Sequence, residues 1–445
     1  MDLVEEGRRD GHDHDHKGMV YSYDDIALLP STTAQGTYFG GVDDDVENLD
    51  EYTEGGYHPI HMDDYLGRAR EKRYRVLHKL GHGGFSTVWL CRDEQLRRYV
   101  AIKVMTADVS PGQVAELSFM QQLDRRHPGA RYVALPLDSF EVNGPNGTHQ
   151  CLVLPLLGQA SSPGLWHHLG DPAPVLRELC RQAVQALDCL HKSGIGHGDF
   201  RPANLLVKLR NLDALEEHQL LSLIGNPEPG QVFTSNARDD LPASSPRYLV
   251  PAANLARLSP THMVPEIALI DFGQSYLACA PPPDLGTPEC YLPPEMLIDD
   301  RSDPVGLPCD LWALGCTLVE MRLQIPLFDT LYGPDEVLDE MVTFFGKFPP
   351  HWWTRWKQRD EYRDDKGAPL RTRIDVDGEG YSLDSVLRGT RHVMTTIDGV
   401  LQVVKTMGFP GDEMELLKDL VLRVCAYAPA DRMDAEQMLQ HAWFQ

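Results

Sequence analysis

The 445-residue chain contains no apolar run near the ~20 residues that a membrane-spanning helix needs. It does not open on a charged-then-apolar stretch of the kind that directs secretion, so the sequon Asn146-Gly147-Thr148 reads as a turn. The nine cysteines are an odd number, scattered, without a C-x-x-C pair, and predict reduced structural thiols in an intracellular compartment. Positive charge is scarce: 41 Lys and Arg against 66 Asp and Glu give a net charge of −25. That balance argues against nucleic acid or an anionic membrane as the main partner, and a basic partner would be attracted. Internal repeats are absent as well.

Charge is unevenly spread. Residues 1–54 hold 15 acids against 3 bases, including "HDHDH" (12–16) and "DDD" (43–45), and read as a disordered acidic tail. The alternating histidines are expected to be solvated, since no second ligand cluster accompanies them. From Tyr74 onward "RVLHKL" (75–80), "STVWLCRD" (86–93) and "RYVAIKVM" (98–105) are short β-rich runs separated by turn signals. Two more strands are expected near 132–142 and 151–157. Before them comes a helical stretch (112–126) with Val114, Leu117, Met120 and Leu123 on one face. Later helices are expected at 174–194, 309–323, 335–346, 412–426 and 434–442. Strands first and helices afterwards predict a two-lobed α+β fold: a small antiparallel lobe with one helix (74–157) and a larger, mainly helical lobe (158–445). Two segments, about 207–266 and 350–405, read as insertions outside compact structure.

The chemistry-bearing residues fall in a definite order. "LGHGGFSTV" (Leu80, Gly81, His82, Gly83, Gly84, Phe85, Ser86, Thr87, Val88) sits in a strand–turn–strand, where glycines let backbone N–H groups approach phosphate oxygens. Lys103 in "VAIK" has apolar flanks that predict an inward-facing ammonium able to hold α- and β-phosphates, and Glu116 on the next helix is its natural ion-pair partner. In "HGDFRPANLL" (197–206), Asp199 would accept a hydroxyl proton, Arg201 neutralise a γ-phosphoryl group and Asn204 hold Mg²⁺. Asp271 in "IALIDFG" follows an apolar strand and supplies a second metal ligand.

His-Gly-Asp taken alone is also how small-molecule kinases write this loop. Three further motifs favour a protein substrate: "GTPECYLPPE" (286–295), "CDLWALGCTLVEM" (309–321) and "DRMDAEQMLQHAWF" (431–444). They resemble the peptide platform of protein kinases, the helix beneath it with Asp310 tying down the catalytic loop, and the Arg432 partner of Glu295. The stretch 54–93, with its "GGYHP" lead-in and "GHGGFSTVWL", resembles the SR-protein-specific kinases, as do the insert at 207–266 and "CLVLPLLG" (151–158) at the lobe connection. The resemblance covers about residues 50–445, with 55–73 as the family lead-in to a kinase domain at 74–445. It implies ATP and Mg²⁺, Ser/Thr phosphorylation of basic Arg/Ser-rich splicing proteins, a monomer, and a place in cytoplasm or nucleus. Neither nucleic acid nor membrane would be bound directly.

Departures from the family pattern are expected to matter. Arg201 stands where Ser/Thr kinases place Lys. Pro155 has no N–H, so the adenine donor would be Leu157. Gly198 replaces the Arg that would read an activation-loop phosphate, so activity is expected to be independent of such phosphorylation. The competing reading is a catalytically weak pseudokinase scaffold of the same fold.

Overall fold

A computed structural model describes residues 31–32, 37–38, 46–68, 71–109, 115–119, 121–165, 172–233, 240–298, 305–328, 333–371, 380–388, 392–397, 400–405 and 411–445. The side chains of 31–32, 37–38, 115–116, 392–397 and 400–405 lie outside that description, as does the "HDHDH" segment.

The small lobe is a six-stranded antiparallel sheet. Its order is Tyr65–Leu66, Tyr74–Gly83, Ser86–Asp93, Arg98–Met105, Gly147–Pro155 and Asp138–Gly144. Alternating β-branched and aromatic residues place Val76, Trp89, Val100, Ile102, Val104 and Val153 in one apolar cluster. Register sets Lys103 opposite Val88 on one neighbour and Leu152 on the other.

The large lobe is built around two helices. Pro172–Lys192 buries Leu176, Leu179, Ala183, Leu187 and Leu190, the three-and-four spacing of one helical face. It stops before Gly194, whose φ of +73° suits a residue without Cβ. Leu307–Leu323 is buried on all sides from Cys309 onward, as befits a helix through the middle of a lobe. Around them pack Pro334–Phe345, Gly411–Val424 and Ala435–Leu439. Glu295 and Arg432 meet as a fully buried bidentate pair at 2.7 Å on both arms, and Arg432 also donates to the Pro308 carbonyl. Such a pair fixes geometry more than it adds stability.

Several expectations needed correction. The 112–126 helix is described only over Ala115–Phe119, and the chain then turns, with Leu123 N–H donating to the Phe119 carbonyl. The strand expected from 132 begins at Asp138, because Pro128–Tyr132 forms a 3₁₀ turn instead. The tail does not extend to 54. Val46, Leu49 and Tyr52 are buried with Tyr57, Val232 and Leu249, and the Glu47 carboxylate is buried against the Lys79 ammonium. Average acidity hid these residues, because the one acid that is buried there has its cation 32 positions away. Nor does 350–405 stand wholly outside the core. Trp352, Trp353 and Trp356 are buried around Phe348, and the Trp356 indole N–H reaches Asp335 at 2.6 Å. Arg363 donates to the Asp339 carboxylate at 2.5 Å and to the Asp339 carbonyl at 2.8 Å. Arg363 looks solvated in sequence because its counter-group, Asp339, lies on the separate helix Pro334–Phe345. Within 207–266, Leu205–Leu209 and Met263–Leu269 pair antiparallel in the large lobe. The stretch between them carries a helix (Glu217–Ile224) and a small hairpin, to which Thr37–Tyr38 adds a strand.

The rings of His58 and His149 lie 4.8 Å apart, tilted by 45°, and His58 Nδ1 and His149 Nε2 have no partner among the described residues. Burial, helped by the neighbouring His149, lowers the His58 pKa from 6.5 to about 4; burial lowers His149 too. Folded-state values below the unfolded one mean stability that is present above about pH 6.5 and drains away as pH falls towards 4. Thermal melting should therefore drop between pH 7 and pH 5, and His58→Asn should flatten that slope. An unchanged slope in the variant would remove the assignment.

Candidate active site

The hairpin of Tyr74–Gly83 and Ser86–Asp93 closes tightly, with Gly81 opposite Val88, His82 opposite Thr87 and Gly83 opposite Ser86. A Cβ added at Gly81, Gly83 or Gly84 would meet nothing within 4 Å, so protein packing does not require glycine there. The open space is what a close backbone approach to a ligand would use. Phe85 stands exposed at the tip, its carbonyl accepting from Thr106 N–H at 3.0 Å. The Gly83 carbonyl accepts from the Tyr57 hydroxyl at 2.7 Å.

Below the hairpin, Lys103 donates to the Asp271 carboxylate at 2.7 Å. Desolvation in the cleft pushes the Asp271 carboxyl up, but the Lys103 ammonium, His197 and the Gly273 N–H outweigh it and hold it below the ordinary carboxylate range. Asp271 itself adopts the left-handed region, φ +63°, which turns the chain sharply after the strand Met263–Leu269. Glu116 lies on Ala115–Phe119, and its side chain is outside the described residues, so the expected pairing with Lys103 is too.

The loop from His197 forms a tight polar knot. Asn204 donates from one amide nitrogen to the Asp199 carboxylate and to the Asp199 carbonyl, both at 2.8 Å. The Arg201 Nε sits 3.1 Å from each Asp199 carboxylate oxygen. His197 donates from Nε2 to the Ile270 carbonyl at 3.1 Å and accepts the Asp199 N–H on Nδ1 at 3.2 Å. Ile270 N–H in turn donates to the Asn204 carbonyl at 2.9 Å. These bonds bring Lys103, Asp271, Asp199, Arg201 and Asn204 to one cleft between the lobes. Leu157 lies at the lobe connection, buried with Ala134 and Ala268, on a short strand opposite Lys208. Pro155 pairs across from Val100.

Beneath the loop, the buried Asp310 carboxylate accepts from the N–H groups of His197 (2.7 Å) and Gly198 (2.9 Å). Above it lies the segment after Asp271. Thr287 donates its hydroxyl to the Gly198 carbonyl at 2.5 Å, and Ser275 donates to the His197 carbonyl at 3.0 Å. Gly198 has φ +78°, and a Cβ there would overlap the Gln274 carbonyl oxygen. Sequence reading saw in Gly198 only a lost arginine. Its second meaning, a backbone that must approach Gln274, depends on a residue 76 positions away and had no local signal.

Asn204 and Asp271 offer an amide oxygen and a carboxylate, a hard donor set that suits a divalent cation sharing its remaining sites with phosphates and water. Among the described residues no group of three or more His, Cys, Asp or Glu could hold a metal alone. No helix among them is long and apolar enough to cross a membrane.

The protein kinase domain family matches residues 74–215 and 258–444, with a gap inside the 207–266 segment. The chain is 27% identical over 417 residues to serine/threonine-protein kinase SRPK of Physarum polycephalum, covering 90% of this chain and 92% of that protein. It is 33% identical over 220 residues to protein kinase dsk1 of Schizosaccharomyces pombe, covering 47% of this chain and 38% of that protein. It is also 33% identical over 217 residues to SRSF protein kinase 3 of Homo sapiens, covering 45% and 37%. The chain thus spans less than two-fifths of the length of the latter two relatives. Kinases of this fold take ATP as phosphoryl donor with a divalent metal and act on protein hydroxyls. With the cleft between its lobes and a spacer dividing its kinase domain, this chain belongs to the protein kinase family, as a serine/threonine protein kinase.

Proposed function

We propose that the chain transfers the γ-phosphoryl group of ATP, with Mg²⁺, to serines in Arg/Ser-rich proteins of mRNA processing. The observation that carries the catalytic half is the knot in which Asn204 and Arg201 both bond the Asp199 carboxylate while Lys103 faces Asp271. The substrate half is supported by the net charge of −25 and by relatives named as SRPK and SRSF kinases. We assign the catalytic unit to 74–445 with 55–73 as its lead-in, working in cytoplasm and nucleus.

In this reading the glycine-rich hairpin from Leu80 to Val88 roofs the triphosphate, and Lys103 holds its α- and β-phosphates. Glu116 supports Lys103, and Leu157 donates its N–H to the adenine. Asn204 and Asp271 would hold Mg²⁺, which neutralises phosphate charge when bound. Asp199 orients the substrate hydroxyl and accepts its proton as the serine oxygen bonds to the γ-phosphorus and the bond to the bridging oxygen of ADP breaks. Arg201, already beside Asp199, offsets the charge on the transferring group. Positioning and charge neutralisation provide most of the rate.

Regulation follows from Gly198. Tyr276 is buried, its ring against Gly196, and Ser275 is bonded to the catalytic loop. The segment is held by backbone contact where other kinases use a phosphate.

Measurements on the wild type and on three variants test these assignments. Asp199→Ala should abolish transfer to an Arg/Ser-repeat peptide yet leave MgATP binding intact, and retained turnover would refute Asp199. The wild type should prefer that peptide to an acidic-directed serine peptide; the reverse preference would overturn the substrate class alone. Nucleotide-dependent melting shifts with no peptide phosphorylated would assign a scaffold instead. Tyr276→Phe should keep activity within about twofold, because the buried hydroxyl has no partner among the described residues to lose. Gly198→Ala should lower the melting temperature by the equivalent of about 1–3 kcal/mol and cut kcat sharply, and a neutral outcome would dissolve the contact argument.

A further inference from the structure

A strap of chain from Val46 to Tyr57 crosses the small lobe before its first long strand. It is fixed at two places. At one end the buried Glu47 carboxylate accepts from the Lys79 ammonium and, at 2.5 Å, from the Tyr52 hydroxyl. At the other, the Gly55 carbonyl accepts from Asp108 N–H at 2.7 Å and the Gly56 carbonyl from Ala107 N–H at 3.1 Å. The Tyr57 carbonyl accepts from the Asn146 amide at 2.6 Å. Gly55 has φ +88°, and a Cβ at Gly56 would overlap the Glu51 carbonyl, so the "GG" is what lets the strap double back.

Tyr57 differs from Tyr52 in where its hydroxyl goes. Both rings pack in one apolar cluster. The Tyr52 hydroxyl stays inside the cluster on Glu47, whereas the Tyr57 hydroxyl leaves it for the Gly83 carbonyl, 26 residues on, in the turn of the glycine-rich hairpin. A peptide unit is planar and trans, so its C=O and the next N–H point opposite ways. Holding the Gly83 oxygen towards the strap therefore aims the Gly84 N–H away from it. That N–H donates to no group among the described residues, and Gly84 has open space beside it.

We propose that Tyr57 is a positioning residue for the nucleotide phosphates: through the Gly83 carbonyl it orients the Gly83–Gly84 peptide so that the Gly84 N–H is presented to them. The proposal rests on the reading of this hairpin as the phosphate roof. The Glu47–Lys79 pair holds the far end of the same strap, so the tyrosine is delivered at a defined height above the loop.

The test compares Tyr57→Phe with Tyr52→Phe in the full chain. It measures the MgATP dissociation constant by calorimetry, KM for ATP and for peptide, kcat, and thermal melting. Losing one such hydrogen bond should raise the MgATP dissociation constant and the ATP KM about threefold to tenfold in Tyr57→Phe, with the peptide KM unchanged. Tyr52→Phe should lower the melting temperature and leave the ATP KM alone. Equal nucleotide affinity in Tyr57→Phe and wild type would overturn the proposal, as would an equal rise in both variants, since the cluster would then act through stability only. Failure of the wild type to bind MgATP would overturn the phosphate-roof reading and this proposal together.

Discussion

The Asp310 carboxylate is the constraint on which the catalytic loop hangs. It is buried at the start of the central helix and takes N–H donors from His197 and Gly198, with the His191 ring at 3.1 Å as a third partner. Burial alone would push its carboxyl up, yet these neighbours bring it below the ordinary range, so it is ionised wherever the protein is folded near neutrality. A buried charge is tolerable only when its hydrogen bonds are complete. Here completing them requires two consecutive backbone N–H groups to turn inward. That turn sets the direction of His197, and His197 then fixes Ile270 with one ring nitrogen and Asp199 with the other. One anion thus determines where the loop and the turn at Asp271 stand relative to each other.

Gly198 is where this constraint meets the chain above it. Its N–H faces Asp310 and its carbonyl faces Thr287, while the Gln274 carbonyl occupies the place of a side chain. The left-handed conformation satisfies all three at once, and glycine adopts it without steric cost. A residue without a side chain at this position therefore admits a direct backbone contact with Gln274.

Much of this was legible in the sequence because the chemistry is carried by short motifs whose order and spacing are distinctive. Asp199, Asn204, Lys103 and Asp271 could be singled out from residue type and neighbours, and the periodicity of 174–194 located its helix to within two residues. What escaped depends on partners far along the chain. Glu47 belongs to an acidic stretch and reads as solvated until Lys79 is seen beside it. Trp352, Trp353 and Trp356 sit among charges that suggest a surface loop, and their burial depends on partners that include Asp335, Phe348 and the distant Tyr427. Tyr57 stood within a quoted motif, but nothing local says that its hydroxyl reaches the carbonyl of Gly83.

The segment between the strands Leu205–Leu209 and Met263–Leu269 begins and ends in the large lobe, yet its hydrogen bonds run to the small one. Asp213 accepts from Tyr99 N–H, Glu217 pairs with Arg75, Ser244 accepts from Asn146, Tyr248 accepts from Met62 N–H, and Ala253 donates to the Lys79 carbonyl. The lobes are accordingly joined along several paths: the direct connection after Pro155, this laced excursion, and bonds such as Lys103 to Asp271, Lys208 to the Arg131 carbonyl and Ala134 N–H to the Leu269 carbonyl. Opening the cleft therefore means breaking bonds on more than one path, the excursion among them.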